Sequence, residues 1–148
     1  MAENWTLGLI GAGVMAETLL SGVLSRNVLP ANRVLVSDPN EGRRAWMAET
    51  YGVKCIATNQ EVFQDADLVV LCVKPQSLPR VFQDHGGSLP EGCQVLSIVA
   101  GASIAALQSG LKHQKIARAM PNLPCRIHQG TTVWTGADGE PAGRIRRV

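Results

Sequence analysis

The sequence predicts an α/β protein: a doubly wound, mainly parallel sheet with helices on both faces. Three observations predict it. Short apolar runs alternate with helix-period segments from Leu7 to about residue 120. The run Leu68-Val69-Val70-Leu71-Cys72-Val73 is unbroken and rich in β-branched residues, as a central parallel strand buried on both faces must be. The first run, Leu7–Ile10, ends in Gly11-Ala12-Gly13-Val14-Met15-Ala16, and a helical pattern follows at once.

The elements follow in order. Met15, Leu19, Val23 and Leu24 recur at helical spacing and predict a helix over Val14–Ser25. Residues 27–32, with Pro30, read as a turn. Val34, Leu35 and Val36 make residues 33–37 the second strand. Residues 39–51 fit a helix carrying Ala45, Met47 and Ala48, and Gly52 is its stop signal. Residues 53–56 form a short third strand, and Asn59 is placed to cap a short helix over 61–64. After the central strand Pro75 starts another helix. Residues 94–99 give the next strand, and Ser103 is a good N-cap for Ile104–Leu111. Residues 116–119 are a further strand, Pro121 and Pro124 bracket a loop, and 131–135 are one more β run. Residues 1–135 read as one domain, and 136–148 as a frayed tail or the start of a linker.

Composition narrows the function classes. The 148 residues are enough for one real core. A net charge of +2 gives no electrostatic case for nucleic acid or an anionic membrane, so neither partner is expected. The locally basic Arg144-Ile145-Arg146-Arg147 reads as a solvated end. The four cysteines, Cys55, Cys72, Cys93 and Cys125, show no metal-ligand spacing, so no metal is expected and a reduced, cytoplasmic setting is. Met1-Ala2-Glu3-Asn4 is too polar to lead a signal peptide, and every apolar run is far shorter than the ~20 residues of a membrane span. His85, His113 and His128 have no carboxylate partner in an obvious pattern, and no nucleophile elbow occurs, so no catalytic side chain is assigned.

The glycine loop carries the chemistry. Gly11 lets the chain turn sharply out of its strand, Gly13 has no Cβ to block a pyrophosphate, and the small Ala16 lets helix and strand pack closely. Placed between a strand and a helix, this is the corner of a Rossmann-type dinucleotide site. Asp38 ends the second strand roughly 20 residues further on, where a carboxylate accepts from adenosine ribose hydroxyls and repels a 2′-phosphate. A turn residue before Pro39 is the alternative reading. Arg43 and Arg44 offer compensating cations, although a solvated helix face explains them more simply, so NADH and NADPH both stay open. Lys74 stands at the carboxyl end of the most buried strand, where it meets cofactor or acidic substrate, or only solvent. Ala100-Gly101-Ala102 ends the next strand with small residues, from close approach of something flat or from tight loop packing. Asn122, between Pro121 and Pro124, is placed to hold nicotinamide or substrate, or simply to shape a turn.

Together these pieces resemble pyrroline-5-carboxylate reductases. The matching stretches are Ile10-Gly11-Ala12-Gly13-Val14-Met15-Ala16, Val73-Lys74-Pro75, Ser97-Ile98-Val99-Ala100-Gly101 and Arg118-Ala119-Met120-Pro121-Asn122-Leu123-Pro124, then Gly130-Thr131-Thr132. The resemblance implies hydride transfer from NADPH or NADH to the C=N carbon of 1-pyrroline-5-carboxylate, giving L-proline. It implies that Gly11, Ala12, Gly13, Val14 and Met15 wrap the pyrophosphate. Asp38 would face the ribose and Asn59 the adenine side, while Val73, Lys74, Ala100 and Asn122 would line the nicotinamide end. Three positions depart from the family pattern: Val14 lacks the usual polar contact, Leu123 lacks a hydroxyl, and Asp38 replaces a small polar residue, which tilts the reading toward NADH. The family also implies a helical second domain that forms the homo-oligomer and most of the substrate pocket. That domain is absent from this sequence, so the chain is expected to bind dinucleotide and to have little reductase activity alone. A truncated, non-enzymatic dinucleotide-binding or interaction module is the alternative, and an exposed apolar patch is expected where a second domain would dock.

Overall fold

The computed structural model describes residues 4–121, 132–136 and 144–148. Its strands are β1 (Leu7–Ile10), β2 (Val34–Ser37), β3 (Lys54–Ile56), β4 (Leu68–Leu71), β5 (Gln94–Ser97), β6 (Ile116–Pro121) and β7 (Thr132–Gly136). Its helices are α1 (Val14–Ser25), α2 (Glu41–Tyr51), α3 (Gln60–Asp65), α4 (Leu78–His85) and α5 (Ile104–Leu111). The strands form one sheet in the order β3-β2-β1-β4-β5-β6-β7. The strands from β1 to β6 pair in parallel, and β7 runs antiparallel to β6. The doubly wound, mainly parallel α/β fold read from the sequence is the one observed.

Burial on both faces explains the apolar runs. Every residue of β1, β2 and β4 is buried. Leu7, Leu9, Val34, Val36, Leu68 and Val70 share one core cluster with Ala16, Leu20 and Val23 of α1 and Met47 of α2. Ile10, Leu35, Val69, Leu71, Val95 and Ile116 share the other with Phe63 of α3, Leu78 and Val81 of α4, and Leu107 and Leu111 of α5. Each fully buried Leu or Val contributes roughly 1.5–3 kcal/mol of apolar transfer. Gly8 lets α3 press onto β1: a Cβ there would lie 2.5 Å from Val62 Cγ1 and 2.9 Å from Ala66 Cβ.

Local chemistry sets the ends. Helix α2 begins at Glu41, later than the sequence reading, because Asn40 caps it by accepting the Arg43 N–H at 2.8 Å. Gly52 closes it at φ 70°, the left-handed conformation expected of a helix stop. The Ser103 hydroxyl caps α5 by accepting the Ala106 N–H at 3.1 Å. Strand β4 is shorter than its apolar run. Cys72 and Val73 leave the ladder after Leu71, although the Cys72 N–H still reaches the Ile10 carbonyl at 2.8 Å. Asn59 precedes α3, yet its side chain caps nothing. Its Oδ1 instead accepts the Ser37 hydroxyl at 2.6 Å, so the expected side-chain cap is corrected to a bridge from the end of β2 to the start of α3. Ile145 and Val148 pack against the core cluster on the α1 face.

Candidate functional site

Parallel strands in the order β2-β1-β4 place a topological switch point at β1. Chain connections leave the carboxyl ends of β1 and β4 in opposite directions there, which opens a crevice at that edge. The sequence-predicted residues reach it from successive strands: Gly11 to Met15 follow β1, Asp38 follows β2, Asn59 follows β3, Val73 and Lys74 follow β4, and Ala100 follows β5. Asn122 follows β6 in the chain but lies outside the described residues, as do Leu123, Cys125 and His128.

The corner is held by backbone. Gly11 sits at φ 97°, and a Cβ on it would stand 3.0 Å from the Cys72 carbonyl oxygen and 3.1 Å from its carbon. Its N–H donates to the Ser37 carbonyl at 2.8 Å. Gly13 is the N-cap of α1, and no side chain caps that helix. A Cβ on Gly13 would meet nothing within 4 Å among the described residues. The exposed Val14 leaves the helix mouth uncovered as well. No hydrogen bond among the described residues takes the N–H groups of Gly13, Val14 or Met15. The first intrahelical bond runs from Glu17 N–H to the Gly13 carbonyl at 3.0 Å. Amides so placed, with the helix dipole behind them, form an anion site.

Asp38 does more than the sequence suggested. Its Oδ2 accepts the Ala12 N–H at 2.9 Å and its Oδ1 accepts the Asn40 N–H at 2.8 Å. The carboxylate therefore ties β2 to the glycine loop, and the Ala12 amide is already committed.

The two arginines are corrected from a solvated helix face to half-buried anchors. Arg43 donates through Nε to the Ala12 carbonyl and through Nη2 to Glu17 Oε2, the latter at 2.7 Å. Its guanidinium carbon lies 4.5 Å from the Trp46 ring centroid. Arg44 Nη1 donates to the carbonyls of Asp38 at 2.8 Å and Pro39 at 3.0 Å. Glu17 Oε1 accepts the Tyr51 hydroxyl at 3.1 Å, and Tyr51 stacks edge-on with Trp46. Burial first, and then the Glu17 carboxylate, push the Tyr51 phenol above 10.0. The sequence reading missed Glu17, Trp46 and Tyr51. The available signal was an acid in the first turn of α1 and a base in the first turn of α2.

At the other end of the crevice Lys74 is exposed and enters none of the ion pairs among the described residues. Ala100 is exposed and is followed by Gly101 at φ 76°, while Val73 packs at the margin of the α3–α5 core. Burial pushes the Cys72 thiol up to about 12. No group of His, Cys, Asp and Glu among the described residues could hold a metal ion, and no helix among them is long and apolar enough to cross a membrane.

A parallel sheet with an uncapped glycine corner at its switch point defines a Rossmann-type nucleotide-binding domain. The family model described as NADP oxidoreductase coenzyme F420-dependent matches residues 6–101, and the chain belongs to that family. Curated relatives agree with the resemblance read from the sequence. The pyrroline-5-carboxylate reductase of Synechocystis is 36% identical over 126 residues, which cover 85% of this chain and 47% of that protein. A pyrroline-5-carboxylate reductase structure from Coxiella burnetii superposes with a TM-score of 0.89 at 26% identity, covering 97% of this chain and 54% of that one. The Plasmodium falciparum pyrroline carboxylate reductase with NADP bound shares the fold, with a TM-score of 0.82 at 22% identity over 99% of this chain and 53% of that one. The chain thus spans about half the length of the relatives it matches.

Proposed function

We propose that this chain is the NAD(P)H-binding half of a pyrroline-5-carboxylate reductase, serving reduction of 1-pyrroline-5-carboxylate to L-proline. The observation that carries the reading is the corner at the switch point, where among the described residues α1 has no side-chain cap, nothing stands beside Gly13, and the Gly13, Val14 and Met15 amides have no partner. These residues fit a dinucleotide. Gly13, Val14 and Met15 offer N–H groups to the pyrophosphate. Gly11 and Ala12 shape the loop, since their own amides are bound to Ser37 and Asp38. Asp38 faces the ribose, Asn59 the adenine side, and Val73, Lys74, Ala100 and Asn122 the nicotinamide end.

A bound nicotinamide supplies the hydride. The protein groups orient it and exclude water, and no side-chain nucleophile is required. Lys74 brings an exposed cation to the edge where an anionic substrate would approach. Residues 1–135 form the cofactor domain, Ile145 and Val148 of the tail fold back onto its core, and a helical partner domain would complete the substrate pocket. The working protein is a cytoplasmic homo-oligomer with no nucleic-acid or membrane partner. The small net charge of +2 and the free thiols of Cys55, Cys72 and Cys93 support that setting.

Calorimetric titration with NADPH and with NADH tests the cofactor reading, and heat is expected with at least one. Absence of heat with both overturns it. A steady-state assay with 1-pyrroline-5-carboxylate is expected to show little turnover, and rates equal to a full-length relative would overturn the half-site reading.

A further inference from the structure

We propose that the Glu17–Arg43 pair, and not Asp38 alone, sets the choice between NADH and NADPH. Arg43 is the receptor for a 2′-phosphate, and Glu17 is the resident anion that must release it. This rests on the dinucleotide reading of the corner and deepens it.

The placement follows from Ala12. Asp38 holds its N–H at 2.9 Å and Arg43 holds its carbonyl, so carboxylate and guanidinium grip opposite sides of one residue. An acid at the end of β2 marks the ribose hydroxyls in this fold, and Arg43 is the cation that reaches the same loop residue. Its orientation is fixed three ways. Asn40 holds its backbone N–H, Ala12 takes Nε, and Trp46 lies under the guanidinium at 4.5 Å. A guanidinium held in place loses little freedom when it binds phosphate.

Glu17 already occupies that fork. Its Oε2 takes Arg43 Nη2 at 2.7 Å while Oε1 takes the Tyr51 hydroxyl. The two charged side chains are 29% and 30% exposed, a half-solvated pair rather than a locked one. Such a pair exchanges for a stronger anion at modest cost. With Glu17 and Asp38 both negative, a 2′-phosphate meets two carboxylates before it gains Arg43. The intact network therefore favours NADH, and neutralising Glu17 frees Arg43 for phosphate.

The test is calorimetric titration of the full chain with NADPH and with NADH, reading the ratio of the two affinities. Glu17→Gln is expected to raise the ratio in favour of NADPH by about three- to fivefold. Arg43→Gln is expected to lower it by about tenfold. Tyr51→Phe removes the second bond to Glu17 without changing charge, and is expected to keep the ratio within about twofold of the parent. A ratio unmoved by both Glu17→Gln and Arg43→Gln, in a chain that still binds NADH, overturns this proposal and leaves the dinucleotide reading standing. A ratio moved as strongly by Tyr51→Phe as by Glu17→Gln also overturns it, because the effect would then be structural. A parent chain that binds neither nucleotide overturns both. Far-UV circular dichroism of each variant separates misfolding from lost recognition.

Discussion

Two glycines two residues apart should respond oppositely to the same added methyl group. Gly11 is at φ 97°, and its would-be Cβ stands 3.0 Å from a backbone carbonyl oxygen that no side-chain rotation can move. Gly11→Ala combines left-handed strain with a backbone clash and should cost about 2–4 kcal/mol of stability. With a urea slope of about 1–3 kcal/mol per molar, the unfolding midpoint should fall by about 1 M or more. Gly13 has φ −75° and ψ −170°, which alanine adopts freely, and its Cβ would meet nothing within 4 Å. Gly13→Ala should leave the midpoint unchanged or raise it, by about 0.4–1 kcal/mol through the unfolded chain. On the proposed phosphate placement that Cβ would stand where the pyrophosphate lies, so nucleotide affinity should drop by about tenfold or more, about 1.4 kcal/mol. The assays are urea denaturation followed by tryptophan fluorescence and calorimetric titration with NADH and NADPH. Parent-like nucleotide affinity in a well-folded Gly13→Ala chain would refute the placement of the phosphates. An undiminished midpoint in Gly11→Ala would refute the claim that β4 closes on the corner.

Three further outcomes follow from packing and charge. Burial raises the thiols of Cys72 to about 12 and Cys93 to about 11 and lifts Cys55 as well. Iodoacetamide at mildly alkaline pH should therefore label Cys55 of the native chain before Cys72 and Cys93, with the order lost in urea, as peptide mass spectrometry would show. Burial lowers His85 from its ordinary 6.5, so the folded state prefers the neutral ring. Its contribution to stability is present above 6.5 and is lost as pH falls through that value toward the folded one; urea midpoints across this range should decline, and His85→Gln should flatten the decline. Gly110→Ala should stabilise an isolated helix, yet a Cβ there would lie 2.3 Å from the Phe82 ring, so thermal unfolding should instead show a loss of about 1–3 kcal/mol.

The legible parts of the molecule were those set by local rules. Helices Val14–Ser25 and Ile104–Leu111 match residue for residue, because apolar spacing and a Ser103 cap are properties of neighbours in sequence. The same holds for the Gly52 stop and for the glycine corner. What escaped depended on distant partners. Cys72 and Val73 are as apolar as the strand before them, and only the ladder with β1 ends β4 at Leu71. Asn59 looked like a cap until Ser37 from another strand claimed its oxygen. Arg43 looked solvated because nothing in its own helix shows that Ala12 and Glu17 stand opposite. The antiparallel β7 was read as β, but its direction is a property of its pairing with β6. Ile145 and Val148 sit in a polar, glycine-containing tail, and their burial comes from a core cluster built far upstream.

The candidate site divides between a rigid half and an open half, and that division bears on what chemistry the chain can support. Around the glycine loop the backbone is held by charged side chains and by the end of β2. Asp38, Arg43 and Ser37 fix Ala12 and Gly11 from three sides. Preorganisation of this kind suits binding, because the donors need no rearrangement when an anion arrives. Toward β4 and β5 the pattern changes. Lys74 is unpaired among the described ion pairs, Ala100 and Gly101 present little side chain, and the nearest thiol, Cys72, is held protonated by burial up to about 12. A thiol so raised is a wall for the corner and not a nucleophile. The described edge therefore supplies grip and position, which suits the cofactor-binding role proposed for it.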